Sequence, residues 1–280
     1  MRSRGCPGRR PPGLQARRWV SNADHGHPRH IPTPLGINRL ARFERDDAPY
    51  FFGRERLVAE LVTHLIGAGL LGVVGPSGSG KSSLVRAGLL PVLREGMLPG
   101  SDRWRQLVIR PGEHPVRELA RAVPRDGALD SSGTTDGERE PDDRPSPWRH
   151  DGDWMLRAIA GPDHLLLVVD QFEEAFTSCR DEAERAAFLA ALTQGALSPE
   201  NYVTVVIAVR ADYYGRCAAD PRLAGLLAAN HLLVGPMQPH ELRRTIELPA
   251  RRAGLRLEPG LAEAMIGEIA DQPGRLPLLS

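Results

Sequence analysis

Of the 36 basic residues in this 280-residue chain, one is a lysine, Lys81, and the rest are arginines. The guanine-reading motif N-K-x-D needs a lysine of its own, so that specificity is excluded. Arginine in place of lysine, with abundant alanine, glycine and proline, reads as a coding bias, which makes the one exception informative. Cysteine is scarce too. Cys6, Cys179 and Cys217 are scattered without metal-ligand or disulfide-framework spacing, as expected of reduced thiols in a cytoplasmic protein. No apolar run exceeds the length of a strand, so no segment reads as a membrane span. The N-terminus lacks the apolar centre of a secretory signal. A net charge of +1 gives no overall pull towards nucleic acid or acidic lipid. Residues 1–34 are rich in Arg, Pro and Gly, carry no acid before Asp24, and read as a disordered tail. Pro7, Pro11 and Pro12 would break the amphipathic helix of a transit peptide, and an RNA-binding arm is the functional alternative.

What is present is a regular alternation. Short continuous apolar runs occur at Leu70–Val74, Gln106–Arg110, Leu165–Asp170, Val203–Arg210 and Leu232–Gly235. Continuity rather than alternation is what strands buried on both faces require. Helical stretches lie between them, most clearly over Glu182–Leu192, where Ala187/Ala191 and Phe188/Leu192 stand at i,i+4 spacing. The pattern implies an α/β fold, a parallel five-stranded sheet flanked by helices. Residues 35–236 form this core, interrupted by a polar, breaker-rich stretch at 124–153 that reads as a disordered insertion in a surface loop. After Pro236 the strands stop. Leu242/Ile246 and Leu261/Met265/Ile269 mark two helices, separated by Pro249 and by Gly254–Pro259. Residues 237–280 read as the start of a helical lid, and Leu276, Leu278 and Leu279 at its end give the chain the look of a fragment of a longer protein.

The chemistry centres on Gly75-Pro-Ser-Gly-Ser-Gly80-Lys81-Ser82, which fits G-x-x-x-x-G-K-[ST] with a strand leading in and the helix-compatible run Ser83–Leu90 leading out. In such a loop Gly75, Gly78 and Gly80 let the backbone turn. The N–H groups of Ser77, Ser79 and the residues up to Ser83 then face one anion at a helix N-terminus. Lys81 reaches the β- and γ-phosphates of ATP or ADP, and the Ser82 hydroxyl ligates Mg²⁺. A compact ammonium fits inside a loop wrapped around phosphate, whereas arginine's rigid fork does not, and this accounts for the lone lysine. Leu165–Val169 delivers Asp170 to the sheet's carboxyl edge, where it serves the Mg²⁺ site through water or through Ser82. Glu173 or Glu174 orients and deprotonates the attacking water, the alternative being that both belong to the first turn of a helix. Val203–Val209 brings Arg210 to the same edge, where a guanidinium needs an anionic partner. The γ-phosphate is favoured over an acid following Asp170.

Several ordered stretches resemble one known group: Phe51-Phe-Gly-Arg-Glu55, VVGPSGSGKSSLVRAGLLP, LLLVVDQFEEAFTSC, VVIAVRADYYGRC, LLVGPM and PGRLPLLS. Together they resemble the STAND class of signal-transducing P-loop ATPases, and are most similar to the bacterial novel STAND branch often fused to WD-repeat propellers. The similarity runs from about Leu35 to Ser280 and is broken only by the polar insertion. The resemblance implies that Phe52, Gly53 and Arg54 lie in the segment packed against adenine. It makes Arg210 the sensor arginine of the fourth strand, and Pro277 the lid proline that touches adenine in the ADP-closed state. Related lids often read Gly-Leu-Pro, whereas here Arg275 and Leu276 separate Gly274 from Pro277. It also implies that the Asp170 and Arg210 strands flank the phosphate-loop strand.

The activity so implied is a switch. ADP holds core and lid closed, exchange for ATP opens them and permits self-association, and slow hydrolysis resets the state. The chain would be the motor half of a larger regulator with a C-terminal sensor domain, WD repeats being one type. A P-loop small-molecule kinase would need an acceptor site, and none follows Asp170. An ABC-type ATPase would need an LSGGQ-like stretch, and there is none. A scaffold that binds nucleotide without turnover stays open.

Overall fold

The apolar runs form strands because each is covered on both faces. In the computed structural model, which describes residues 43–123 and 152–270, β1 (Leu70–Gly75), β2 (Arg105–Ile109), β3 (Leu165–Val169), β4 (Val203–Arg210) and β5 (His231–Leu233) make one sheet. All pairings are parallel, in the order β2-β3-β4-β1-β5. Successive side chains point to opposite faces of a sheet, and here each face is a core. Leu70, Val74, Leu167, Val205 and Ile207 pack with Leu156, Phe188, Leu192 and Leu227. Leu71, Val73, Leu166, Val168 and Val206 pack with Leu61, Leu84, Leu89 and Leu93. Burying one such side chain contributes about 2 kcal/mol relative to leaving it exposed, so the central strands gain from being apolar throughout.

The first face is covered by helices Pro115–Arg121, Gly152–Ala160, Glu182–Ala196 and Pro221–Ala229, the second by Glu55–Leu65 and the helical run after β1. Local signals set their starts. Asp181 accepts hydrogen bonds from the Ala183 and Glu184 amides, and Asp220 from those of Arg222 and Leu223, each satisfying orphan donors of the first turn. Beyond the sheet lie helices Pro239–Arg252 and Leu261–Ala270.

Two expectations need correction. Only β4 flanks β1 on the Asp170 side. β3 lies one strand further out, because β4 pairs Val205–Arg210 with β1 and Val203–Ile207 with β3. Apolar periodicity is the same for every buried strand and carries no information about order. Pro249 does not separate two helices but lies within Pro239–Arg252. It forfeits one backbone bond in the last turn, where the Ala253 amide still reaches the Pro249 carbonyl at 2.9 Å. The last two residues of the expected insertion open helix Gly152–Ala160. The rest of that insertion, the tail 1–34, Cys6 and Pro277 lie outside the described residues. Among those described, no helix is long and apolar enough to cross a membrane. Cys179 and Cys217 are buried free thiols, and burial pushes Cys217 up to about 12, which leaves it unreactive.

His164 sits just before β3, tilted against the Trp104 ring at 4.5 Å. Its Nδ1 meets the Asn201 carbonyl at 2.9 Å, so Nδ1 carries the proton and Nε2 accepts from Thr204 Oγ1 at 2.9 Å. Burial lowers its pKa, against a smaller opposing pull from the Asn201 carbonyl. The unfolded chain therefore binds a proton more readily than the folded one. The stability that His164 contributes is present above its unfolded value of 6.5 and is lost as pH falls below it. Melting temperature should fall on the acid side of about pH 6.5, and His164→Gln should flatten that decline. An identical decline in the variant would assign it to other groups.

Candidate functional site

β1 ends at Gly75, and the chain turns through Pro76–Gly80 into a helical run made of Lys81–Ser83, a π-helical stretch Leu84–Leu89, and Leu90–Arg94. Gly78 and Gly80 make the turn with φ of 73° and 86°, left-handed values that side chains resist. Lys81 folds back into the loop it opens: Nζ donates to the Gly75 carbonyl at 2.9 Å and to the Pro76 carbonyl at 2.7 Å. Burial pushes this ammonium below the ordinary lysine range, while the Glu173 carboxylate pulls it back up. Ser77 is exposed at the loop's tip. Ser83 Oγ accepts the Phe43 amide at 3.1 Å. Ser79 Oγ is buried with no hydrogen-bond partner among the described residues. A buried hydroxyl left unsatisfied costs about 1–3 kcal/mol, which a bond to a phosphate oxygen or an ordered water would recover.

Asp170, at the end of β3, is 1% exposed. Its Oδ1 accepts from Ser82 Oγ at 2.7 Å and from the Gln171 amide at 3.0 Å, and its Oδ2 from Arg86 Nε at 3.1 Å. Gln171 holds φ at 54°, a conformation that costs a non-glycine residue about 1 kcal/mol or more. It is held there by its bond to Asp170 and by the Phe172 amide on the Ala208 carbonyl at 2.9 Å. The two glutamates then part company. Glu174 Oε2 accepts the Gly112 amide beyond β2 at 3.1 Å, while Glu173 Oε2 accepts the Arg210 amide at 3.3 Å and is the foremost carboxylate acting on Lys81.

Arg210 reaches this edge in register with Gly75. Its guanidinium is partly exposed and held by Asp212, through Nε to Oδ1 at 3.0 Å and a second nitrogen to Oδ2 at 2.6 Å. Those bonds draw Asp212 below the usual carboxylate range. The protein partner of this guanidinium is thus an acid two residues on, not one of the acids after Asp170; only its backbone amide goes to Glu173. Asp212 and Arg86 escaped sequence reading. Asp212 could have been found, since an acid at i+2 is the nearest available neutraliser. Arg86 is one arginine among many.

The Phe52–Arg54 segment serves as a rivet. Arg54 is 4% exposed and donates to the Gly235 carbonyl at 2.9 Å and the Ser79 carbonyl at 3.4 Å, with Glu241 of helix Pro239–Arg252 at 3.9 Å. Thr245 Oγ1 lies 3.0 Å from the Phe52 carbonyl. One side chain therefore touches the Gly75–Ser82 loop, the exit of β5 and helix Pro239–Arg252. Gly53, Arg54, Gly235, Pro236 and Glu241 line a cleft of about 710 Å³ between the Gly53–Leu57 segment, the exit of β5 and helix Pro239–Arg252. Phe52 does not line it.

The donor set fits a nucleotide with a divalent cation. Ser82 spends its proton on Asp170, so its lone pairs are left for a hard cation, and the buried carboxylate behind it supplies the charge. The helix start, Lys81 and Ser79 offer positive charge and donors to phosphate.

A family model, Novel STAND NTPase 1, matches residues 38–280. In fold the chain is similar to the Walker-type ATPase of Pyrococcus abyssi, at 15% identity and a TM-score of 0.51, covering 84% of this chain and 67% of that one. It is equally similar to the ADP form of the Aeropyrum pernix ORC2 protein, at 17% identity and a TM-score of 0.51, covering 84% of this chain and 64% of that one. About a third of each of these proteins has no counterpart in the alignment. No curated protein matches the sequence.

Gly53 has φ of 87°, and a Cβ there would collide with Thr245 Oγ1 and the Glu241 carbonyl oxygen. Gly53→Ala should cost roughly 2 kcal/mol or more in a denaturant titration, by strain and by forcing the lid helix away. A change of less than about 0.5 kcal/mol, the usual size of a surface substitution, would show that this contact yields freely.

Proposed function

The chain belongs to the Novel STAND NTPase 1 family, and we propose that it binds ATP or ADP with Mg²⁺ at the phosphate loop and hydrolyses ATP slowly as a conformational switch. The observation that carries this reading is the 2.7 Å bond from Ser82 to buried Asp170, with the Lys81 ammonium in the same loop. Bound Mg²⁺ would supply charge neutralisation at the β- and γ-phosphates. The chain's own part is to place donors. Lys81 exchanges two loop carbonyls for phosphate oxygens, and the amides at the helix start converge on the same anion. Glu173 is the candidate base, since its carboxylate meets the Arg210 amide at the end of β4 and is the foremost acid raising Lys81, whereas the Glu174 carboxylate goes to the Gly112 amide beyond β2. The role of Glu173 is to orient a water and accept its proton. Arg210, held ready by Asp212, stands at the edge where γ-phosphate charge would develop.

The switch reading draws support from Arg54, which ties the phosphate loop to the lid helix. A larger regulator around this module, with self-association on ATP binding, follows the same reading. The same reading proposes Pro277 as an adenine contact.

Lys81→Ala should abolish ATP and ADP binding in calorimetry while leaving the melting temperature nearly unchanged, because the ammonium bonds its own loop and not the core. Lys81→Arg should also bind weakly; full affinity there would refute the account of the lone lysine. Glu173→Gln should keep nucleotide affinity and lose phosphate release by about 10²-fold or more, with Glu174→Gln much closer to wild type. The reverse order would move the base to Glu174. A wild type that binds ATP and releases no phosphate is a scaffold.

A further inference from the structure

Arg86 stands in the π-helical stretch that follows the phosphate loop, four residues after Ser82. Residues four apart share a helix face, and both side chains here reach the same carboxylate. Ser82 holds Asp170 Oδ1 and Arg86 holds Oδ2, so each oxygen is gripped from one helix. Arg86 is itself held. Another of its nitrogens donates to Glu44 Oε2 at 2.9 Å, and the neighbouring Phe43 amide bonds Ser83 Oγ at 3.1 Å. The guanidinium is mostly buried, at 15% exposure, between Asp170 at 2% and Glu44 at 49%. Its planar fork lets two nitrogens serve two carboxylates in fixed directions, which an ammonium cannot do.

We propose that Arg86 is a positioning residue for the divalent cation: by pinning Asp170 Oδ2 it keeps Oδ1 turned to Ser82, and so keeps the Ser82 lone pairs facing the cation. This rests on the reading of the site as a Mg²⁺–nucleotide pocket. The alternative physical effect has the opposite sign. As a mere positive charge beside Asp170, Arg86 would repel a second cation, and its removal would tighten divalent binding. As a positioning group its removal loosens that binding, since partners that orient ligating side chains are typically worth about 10- to 100-fold in metal affinity.

The test measures Mn²⁺ binding by electron paramagnetic resonance, with the full chain saturated by a non-hydrolysable ATP analogue. Analogue affinity is measured separately in EDTA. Arg86→Gln should bind Mn²⁺ at least about tenfold more weakly while its affinity for the analogue in EDTA stays at the wild-type level. Arg86→Lys, which keeps the charge and loses the fork, should show a loss of the same sign and smaller size, and it serves should the glutamine variant fold poorly. Unchanged or tighter Mn²⁺ binding overturns the proposal. An equal loss of analogue affinity in EDTA overturns it as well, since Arg86 would then support the loop as a whole. If the wild type binds no analogue in either buffer, the nucleotide reading of the site fails and takes this inference with it. If the wild type binds and Arg86→Gln retains its Mn²⁺ affinity, only the inference fails.

Discussion

One hydroxyl proton, donated by Ser82 to Asp170, joins two strands that do not touch. β1 carries the phosphate loop and β3 carries Asp170, and β4 lies between them. The bond forms only while the three strands keep their register, with Val169 opposite Ile207 and Ile207 opposite Gly72. That register comes from the core. Every residue of β1 and β3, and all of β4 up to Val209, is buried, and the two packed faces leave no room for a strand to slide. A register slip of one residue would also send each side chain to the other face. The apolar runs that look unremarkable in the sequence are therefore what holds a polar constellation in place.

The second constraint is the close approach of the lid. Gly53 lies against the backbone of helix Pro239–Arg252 where no Cβ fits, and Arg54 beside it is buried among carbonyls of the phosphate loop and of the β5 exit. A buried guanidinium is tolerable only when its donors are matched, so any shift of the loop or the lid unsettles both. In the proposed switch, these contacts are what would couple nucleotide at the loop to the position of helix Pro239–Arg252.

Much of this arrangement was legible in the residues. The unbroken apolar run marks β4 at its observed bounds, Val203–Arg210, because a long strand is buried on both faces. The meeting of the Gly75–Ser82 turn with Asp170 was legible, because G-x-x-x-x-G-K-[ST] after one strand and an acid ending another fix both places in the sheet. β5 was misplaced by a residue or two, since a three-residue edge strand has little pattern to read. Strand order was not legible, because the central strands look alike in sequence. Nor was the parting of Glu173 and Glu174, whose partners, the Arg210 and Gly112 amides, are remote in sequence. Arg86 was invisible for a different reason: it is distinguished only by the acids it meets, Glu44 and Asp170, which are remote in sequence.

The claim on which the account turns is that the phosphate loop and the lid helix move as coupled parts. Amide hydrogen exchange across Pro239–Arg252 measures it directly, in the empty, ADP-bound and ATP-analogue-bound protein. The account predicts slower exchange with ADP than in the empty protein, and faster exchange with the ATP analogue than with ADP. Exchange that is the same in all three states, in a protein shown to bind both nucleotides, would contradict it.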